Sequence, residues 1–266
     1  MAARGARAAA GDAGQPFCRQ CSMRTQQHGS FHGLLGKAVL AVWCDIDPEH
    51  DAEFNDWYTH QHLPERVGIP GFIRGRRWAV PKGAKHEKGG QYFTLYEIES
   101  LETLVSAPYL ERLNNPTDWT KRTVPWFKNG NRTACKIIAS QGQGIGGHAA
   151  TIEFGPSGNT AEALRTWITS SAMPQVLEYR AVVGIHLCEA DESVTRAKDR
   201  TAEGKVAESR GASGPLARWF LLIESIDAEG LEAGCKELCG SAGLVAHGAA
   251  KDISGNRYQL LVSFSK

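Results

Sequence analysis

Residues 57–64 read WYTHQHLP, and residues 167–174 read WITSSAMP. The two stretches match at an offset of 110 residues, which places Trp57 on Trp167 and Pro64 on Pro174. Similarity at a fixed offset indicates an internal repeat in which each copy is one supersecondary unit. The sequence therefore predicts two related halves.

The offset changes further along the chain. It is 125 residues where Gly130-Asn131-Arg132 falls on Gly255-Asn256-Arg257. The difference predicts an insertion of 15 residues in the second copy, within residues 190–214. That stretch mixes charged residues with Gly and Ser, which is typical of a solvated loop or a lid.

Both copies show the same order of elements. Apolar, β-branched runs predict strands over residues 37–46, 72–80, 91–98 and 132–139, and again over 148–154, 180–188, 217–225 and 256–264. Helical segments are predicted from residue 48 to 62, with Pro64 ending the helix, and over 101–127, 159–171 and 227–240. The order β-α-β-β-α-β in each copy is that of a ferredoxin-like unit.

The first strand indicates how the two units pack. Residues 39–43 are apolar at every position, so both faces of their sheet must be covered. Helices can cover one face and a second sheet the other. The predicted fold class is α+β, with two tandem ferredoxin-like repeats (37–140 and 147–266) packed sheet to sheet as an intrachain dimeric α/β barrel. The Gly-rich residues 142–147 are interpreted as a linker rather than a phosphate-binding loop, because no helix follows them directly.

Composition excludes several classes of protein. Of the 266 residues, 42% are hydrophobic, which is enough for a sizeable core and argues against wholesale disorder. Thirty Lys and Arg balance 29 Asp and Glu, without the basic excess of a nucleic-acid-binding protein. No apolar run approaches the ~20 residues of a membrane-spanning helix. We therefore expect neither nucleic acid nor a membrane as a partner.

Residues 1–36 are rich in Ala, Gly and Arg, with one acidic residue, and lack helical or strand periodicity. They are interpreted as a disordered or non-native extension, with an organelle transit peptide as the alternative. The segment contains side chains of the types that bind zinc, namely Cys18, Cys21, His28 and His32. Their spacing is short for a zinc finger, so a chance pattern is the competing interpretation.

The chain has seven cysteines, an odd number without the spacing of a disulfide framework. Three of them, Cys44, Cys135 and Cys188, lie inside apolar runs, where buried thiols are usual. This usage indicates a reducing compartment, and we expect the protein in the cytoplasm.

The helix that contains the repeated Trp57 also contains the candidate catalytic residues. At 3.6 residues per turn, one face of it presents Phe54, Trp57, Tyr58 and Gln61. His62 lies on the flank of this face, whereas His60 points toward solvent. Of the two histidines, His62 is therefore the one predicted to take part in a reaction.

The second copy lacks the polar residues of the first. At the matching positions, Tyr58 is replaced by Ile168, and His62 is replaced by Ala172. The packing Trp is kept in both copies, which predicts one site, in the first copy. Drift at surface positions would leave the same pattern and is the competing interpretation.

A wider motif surrounds His62. Trp57-Tyr58, His62-Leu63-Pro64 and Pro70-Gly71-Phe72 follow one another at short spacing, and in this the sequence resembles EthD-like proteins of the dimeric α/β-barrel superfamily, most clearly over residues 38–100. That superfamily is similar in fold to cofactor-free monooxygenases, polyketide cyclases, lactone isomerases and haem-handling enzymes. Fold alone therefore does not select a reaction.

The resemblance implies a small-molecule enzyme acting by acid–base chemistry on a hydrophobic, aromatic or oxygenated substrate, as an isomerase, cyclase, lyase or cofactor-free oxygenase. A neutral imidazole can take a proton near pH 7, so His62 is the predicted base, with Tyr58 and Arg76 stabilising an oxyanion. The predicted substrate-binding residues are Trp43, Asp45, Glu65 and Phe72. No cofactor is predicted.

Two alternatives stay open. A non-catalytic ligand-binding or stress-associated accessory protein would use the same cavity without turnover. A solvated His62 in an open apolar groove would favour this binder, and a buried His62 with a perturbed pKa would favour the enzyme. A haem-handling protein would need an axial ligand, for which His62 and His186 are available. The expected partners are a small molecule and, as a homodimer, a second copy of the chain.

Overall fold

The computed structural model describes residues 33–209, 219–240 and 242–266. The strands are β1 (Ala38–Asp45), β2 (Phe72–Ala79), β3 (Tyr92–Ile98), β4 (Lys128–Gly142), β5 (His148–Phe154), β6 (Val182–Ala190), β7 (Trp219–Ser225) and β8 (Ser254–Ser265). The α-helices are α1 (Asp51–Trp57), α2 (Leu63–Gly68), α3 (Ala107–Asn114), α4 (Asp118–Thr123), α5 (Ala161–Trp167), α6 (Met173–Leu177), α7 (Glu192–Ala197), α8 (Ala202–Ser209) and α9 (Ala228–Cys239). None of the helices in these ranges is long and apolar enough to cross a membrane.

The eight strands close into one antiparallel barrel, in the order β1-β3-β2-β8-β5-β7-β6-β4. β2 pairs with β8 and β4 pairs with β6, so each of the two joins links a strand of the first half to a strand of the second. Closure gives every strand two neighbours and removes open sheet edges. The predicted α+β class and barrel are confirmed.

Each strand contributes to two layers, because successive side chains point to opposite faces. In β1, Val39, Ala41 and Trp43 belong to the core inside the barrel. Leu40 and Val42 face outward and pack under the helices of the first half. This double burial explains why β1 is apolar at every position.

The first helical segment continues past Pro64, contrary to the prediction that this proline ends it. α2 contains Pro64 in its first turn. A proline lacks the N–H of a helical residue, and its ring crowds the preceding turn. The turn before α2 is a wider π-helical turn (Tyr58–His62), closed by a hydrogen bond from the Leu63 N–H to the Tyr58 carbonyl. The wider turn leaves room for the proline ring. A matching π turn (Ile168–Ala172) precedes α6 in the second half.

Strand pairing corrects the second predicted offset. Ala38 pairs with Ile98, and His148 pairs with Ser225, so β3 and β7 correspond at an offset of 127 when β1 and β5 are aligned at 110. The same comparison gives 123 for β4 and β8. The predicted offset of 125 is two residues out in both cases. A slip of two residues keeps each side chain on the same face of its strand, so it does not exchange inward and outward positions.

The inserted segment of the second half is not a solvated loop where it is described. It forms α7, a 3-10 turn (Lys198–Arg200) and the start of α8. Thr195, Thr201 and Glu203 are buried. The segment packs against α3 and against the 3-10 turn Val124–Trp126, both of which belong to the first half.

Residues 33–36 belong to the fold and not to the extension in which the sequence analysis placed them. Leu34 is 2% exposed and packs inside the barrel. Its N–H donates to Oγ of Ser140 at 3.2 Å, and the Leu35 N–H donates to Oε2 of Glu97 at 2.7 Å. The zinc hypothesis on Cys18, Cys21, His28 and His32 falls outside the described residues.

Candidate active site

His62 is buried because of the π turn that contains it. A turn closed by an i→i+5 hydrogen bond holds one residue more than an α-helical turn, which rotates His62 onto the face shared by Trp57 and Tyr58. The His62 ring lies 4.3 Å from the Trp57 ring and 4.9 Å from the Tyr58 ring, centroid to centroid. His60 is exposed and lies 3.4 Å from Asp56. Of the two histidines in the motif, His62 is the one that faces the interior.

A cavity lies between the helical segment that carries His62 and the outer face of the barrel in the first half. It is lined by Leu40, Val42, Trp43, Trp57, Tyr58, His62, Arg66, Tyr96, Tyr109, Val124, Phe127, Gly130, Asn131, Arg132, Lys198 and Glu203. Its volume is about 80 Å³, counted as the space that the centres of water molecules can occupy. One water needs ~10–15 Å³ on this measure, so the enclosed part admits a few waters or one small organic ring.

The inserted segment supplies charged residues to this cavity. Glu203 on α8 accepts a hydrogen bond from Nη2 of Arg66 on α2 at 2.5 Å, and Nζ of Lys198 lies 3.6 Å from the other carboxylate oxygen. Burial alone would raise the pKa of Glu203, but the charges of Arg66 and Lys198 outweigh it and lower that pKa to about 2. Burial, reinforced by Arg132 and Arg66, lowers the pKa of Lys198 to about 8.

His62 is neutral at pH 7 in this environment. Burial, followed by the charge of Arg66, lowers the pKa of His62 well below 6.5, while Glu203 acts in the opposite direction. Nδ1 of His62 is buried without a hydrogen-bond partner. The imidazole is therefore in the basic form, with one nitrogen that is not engaged by the protein.

Tyr58 lies next to His62 and also lines the cavity. Its hydroxyl accepts a hydrogen bond from Tyr96 at 3.4 Å, and burial raises its pKa, so it is a neutral donor at pH 7. Behind its ring, the guanidinium carbon of Arg77 lies 4.5 Å from the ring centroid. Arg77 donates to Oδ1 of Asn55 at 2.7 Å and is otherwise surrounded by aromatic rings.

Arg76, predicted as an oxyanion stabiliser, lies elsewhere. It is fully buried inside the barrel, where Nε donates to Glu97 at 3.0 Å and Nη1 donates to Glu224 at 2.6 Å. The cause is a β-bulge at the start of β2: Phe72 pairs with Ile98 and Arg74 with Glu97, so β2 contains one extra residue. The bulge reverses the alternation of faces. Arg77, not Arg76, therefore faces the helices.

Two residues predicted to bind substrate, Asp45 and Phe72, stabilise the fold instead. Asp45 accepts hydrogen bonds from the backbone N–H groups of Gly89 and Gln91, at 2.7 and 3.0 Å, and so fixes the loop between β2 and β3. Phe72 packs against the rings of Tyr96 and Tyr109 and supports the cavity wall from behind. Neither lines the cavity.

Glu65 and Trp43 lie at the margins of the site. Glu65 is 3.2 Å from Nε of Arg112 and lines a separate groove between α2 and α3. Trp43 borders the cavity, but its indole N–H donates to Oγ1 of Thr151 at 3.3 Å and its ring packs on Phe93 and Phe220 inside the barrel. The structure therefore brings His62 and Tyr58 together at the cavity and leaves the remaining predicted residues outside it or at its border.

Four charged residues of the cavity were not predicted from the sequence: Arg66, Arg132, Lys198 and Glu203. Arg66 lies between two parts of the motif, His62-Leu63-Pro64 and Pro70-Gly71-Phe72, and its position one turn after His62 could have indicated it. Arg132 belongs to the repeated Gly-Asn-Arg triplet. Nothing in the local sequence of Lys198 or Glu203 connects them to a site 137 residues away.

The surroundings of His62 and His186, the two candidate axial ligands, leave no room for a porphyrin. His62 lies beside a cavity whose enclosed part admits a few waters, far less than a tetrapyrrole ring requires. His186 is fully buried inside the barrel, where Nδ1 is 2.8 Å from Oγ of Ser140 and Nε2 is 3.3 Å from Oε1 of Glu224. Within the described ranges, no group of three or more His, Cys, Asp or Glu side chains could hold a metal ion.

No protein-family profile and no curated protein sequence matches the chain. Solved structures with a similar fold include an anthrone oxidase-like protein, at 12% identity and a TM-score of 0.57 over 86% of this chain and 92% of that one. Two proteins named as putative monooxygenases, from Fusobacterium nucleatum and Lactobacillus acidophilus, each give a TM-score of 0.53. They are 9% and 8% identical and cover 88% and 86% of this chain and 96% of their own. At such identities the similarity concerns the fold alone. Together with the strand order, it shows that this chain has the ferredoxin-like, dimeric α/β-barrel fold.

Proposed function

We propose that this protein is an EthD-like enzyme that abstracts a proton from a small aromatic or oxygenated substrate bound in the cavity of the first half. His62 takes the proton, and Tyr58 donates a hydrogen bond to the oxygen on which negative charge develops. The observation that carries this proposal is the buried, neutral imidazole of His62, whose Nδ1 has no hydrogen-bond partner and which lines the cavity.

The charges around the cavity support the same chemistry. Removing a proton from carbon or oxygen leaves an anion, and the guanidinium of Arg66 and the ammonium of Lys198 lie in the wall where they would stabilise it. Arg66 takes the role that the sequence analysis gave to Arg76. An enolate or phenolate formed in this way is the common intermediate of isomerases, cyclases and cofactor-free oxygenases, and the last class is in keeping with the names of the similar structures.

We further propose that residues 37–140 and 147–266 are tandem repeats that form an intrachain pseudo-dimer. Their π turns lie 110 residues apart, and the bulge in β2 recurs at the same offset in β6. The second half has Ala172 where the first has His62, so one half would be catalytic and the other structural. The described cysteines are free thiols, which supports a reducing compartment such as the cytoplasm.

The test is proton exchange rather than overall turnover. We would incubate the protein in D2O with monocyclic aryl ketones such as phenylacetone and follow the loss of the α-proton signals by NMR. The wild type should accelerate exchange with saturation, and His62→Gln should lose this acceleration. His60→Gln is the matched control, since His60 is exposed in the same helix.

The ligand-binding alternative makes a different prediction in the same experiment. A binder would show saturable binding of these ketones without accelerating exchange, and His62→Gln would change only affinity. The burial of His62 favours the enzyme over this alternative, since a solvated imidazole in an open groove is what the binder requires.

A further inference from the structure

We propose that the substrate carries a carboxylate, held by Arg66, Arg132 and Lys198, and that the cavity binds small aromatic monocarboxylates as a class. This inference rests on the proposed function and names its substrate class. It concerns a group that is already charged before the reaction, in contrast to the charge that proton abstraction creates.

Positive charge exceeds negative charge around the cavity. Among its described lining residues, three are cationic and one, Glu203, carries a carboxylate. Glu203 is hydrogen-bonded to Arg66 and close to Lys198, so it is shared between two cations. Arg132 donates instead to neutral oxygens, the hydroxyl of Tyr109 at 2.9 Å and the backbone carbonyl of Thr195 at 3.3 Å.

Arg66 also has a hydrogen-bond donor that no protein group accepts. The side chain of Arg66 is 4% exposed, and its Nη1 has no hydrogen-bond partner. Oε1 of Glu65 lies 4.0 Å from that nitrogen, which is beyond hydrogen-bond distance. Burial would lower the pKa of Arg66, but Glu203 outweighs it and raises that pKa, so the charge is compensated; the unfilled group is the buried Nη1 donor, which has lost water without gaining an acceptor. An anionic ligand group would supply the missing acceptor.

The titration of Lys198 is in keeping with an uncompensated site. Burial and the neighbouring charges of Arg132 and Arg66 together outweigh the attraction of Glu203 and lower the Lys198 pKa to about 8. A second carboxylate beside the ammonium group would favour its charged form. Lys198 is therefore the residue whose removal should report most directly on an anionic ligand.

Aromatic rings select the rest of the ligand. Five lining residues are aromatic in addition to Trp43 at the border: Trp57, Tyr58, Tyr96, Tyr109 and Phe127. One of them, Tyr109, receives a hydrogen bond from Arg132. Ring edges and faces at these positions pack well on another ring, and the enclosed space suits one ring rather than several. A single aromatic ring with one carboxylate satisfies both ends of the cavity.

The experiment compares four probes by isothermal titration calorimetry at pH 7: benzoate, benzamide, benzylamine and acetate. Benzoate should bind at least about tenfold more tightly than each of the others. Benzamide keeps the ring and the shape but removes the charge, benzylamine reverses the charge, and acetate removes the ring. Equal binding of benzoate and benzamide, or no detectable binding of benzoate, would overturn the proposal.

Variants then locate the anion. Lys198→Gln should weaken benzoate at least about tenfold and leave benzamide unchanged. Lys205→Gln is the control, because Lys205 is exposed on the same inserted segment. Glu203→Gln should tighten benzoate, since it frees Arg66 from the carboxylate that competes for it. Unchanged benzoate affinity in Lys198→Gln, with a native circular dichroism spectrum, contradicts the assignment.

His62→Gln separates this proposal from the proposed function. In His62→Gln both affinities can change, because His62 lines the cavity, but benzoate should still bind at least about tenfold more tightly than benzamide, because the cations that hold the carboxylate are unchanged. If proton exchange survives in His62→Gln while benzoate selectivity holds, the proposed function fails and the carboxylate site stands. If exchange is lost but benzoate is not preferred, the reverse is true.

Discussion

Oε2 of Glu203 lies 2.5 Å from Nη2 of Arg66, although 137 residues separate them in the sequence. Arg66 follows His62 by one helical turn in the first half, and Glu203 belongs to the segment inserted in the second half. The first half therefore supplies the imidazole, and the second half supplies a wall and a counter-ion. A site in one half is completed by the other.

The first prediction concerns His62. His62→Gln should reduce proton exchange by ~10²–10⁴, the usual contribution of one general base. The exchange rate of the wild type should not rise from pH 7 to 8, because the depressed pKa of His62 leaves the imidazole neutral throughout that range, and deprotonation of Lys198, whose pKa is about 8, removes a cation that stabilises the anion. A rate that rises with a midpoint near pH 7 would identify a different base.

The second prediction concerns acid stability. The pKa of Glu203 is lowered from 4.5 to about 2 in the folded state, so its ion pair stabilises the protein fully above about pH 4.5 and loses this contribution as the pH falls toward 2. Relative to Glu203→Gln, the wild type should lose on the order of 3 kcal/mol between pH 5 and 2. Urea unfolding at several pH values measures the difference.

Glu192→Gln is the matched control for this experiment. Glu192 lies on the same inserted segment and pairs with Arg196, but both side chains are exposed. Surface pairs contribute ~0–1 kcal/mol. Glu192→Gln keeps the buried pair and should lose stability with falling pH as the wild type does, so a loss as small as that of Glu203→Gln would show that the effect does not come from the buried pair.

The third prediction concerns Arg76. Arg76→Met should destabilise the protein by about 3–5 kcal/mol, because it leaves the carboxylate of Glu224 buried without its arginine, while Glu97 keeps its pair with Arg74. Benzoate affinity of the folded protein should stay unchanged, since Arg76 does not line the cavity. Arg196→Met, at an exposed pair, should change stability by less than about 0.5 kcal/mol. A benzoate effect in Arg76→Met would restore the role first predicted for it.

The fourth prediction concerns the packing of α2 on Gly75 of β2. A Cβ added at Gly75 would lie 2.6 Å from Cδ1 of Leu63 and 3.0 Å from Cγ2 of Val67, both buried. Gly75→Ala should cost about 1–3 kcal/mol of unfolding free energy, as overpacking usually does. At Gly147, no atom outside its neighbours lies within 4 Å of such a Cβ, so Gly147→Ala should be neutral. Equal midpoints of denaturant unfolding for the two variants would contradict this view of α2 packing.

The sequence predicted best where a local pattern carried the information. The strands and helices follow from periodicity, and double burial of β1 follows from its uninterrupted apolar run. His62 could be separated from His60 because helical spacing distinguishes a buried face from an exposed one. The helical wheel assigned Gln61 to the core face, however, because it assumed 3.6 residues per turn and not the π turn that is present.

The errors arose where a single residue changed the geometry. One extra residue in β2 reversed the facing of Arg76 and Arg77. The wide turn before Pro64 let the helix continue where a proline normally ends it. Bulges and π turns each add one residue, and neither has a composition that separates it from a regular strand or helix.

The sequence by itself therefore determined the order of elements, the α+β class and the position of His62 on a helix, because these depend on contacts between near neighbours in the chain. Only the tertiary structure decided that Lys198, Glu203 and Arg66 meet at one cavity and that Arg76 does not. The physical reason is that a charged segment looks the same in sequence whether it is solvated or buried. Its burial depends on the partner charges that the folded chain brings to it from far away.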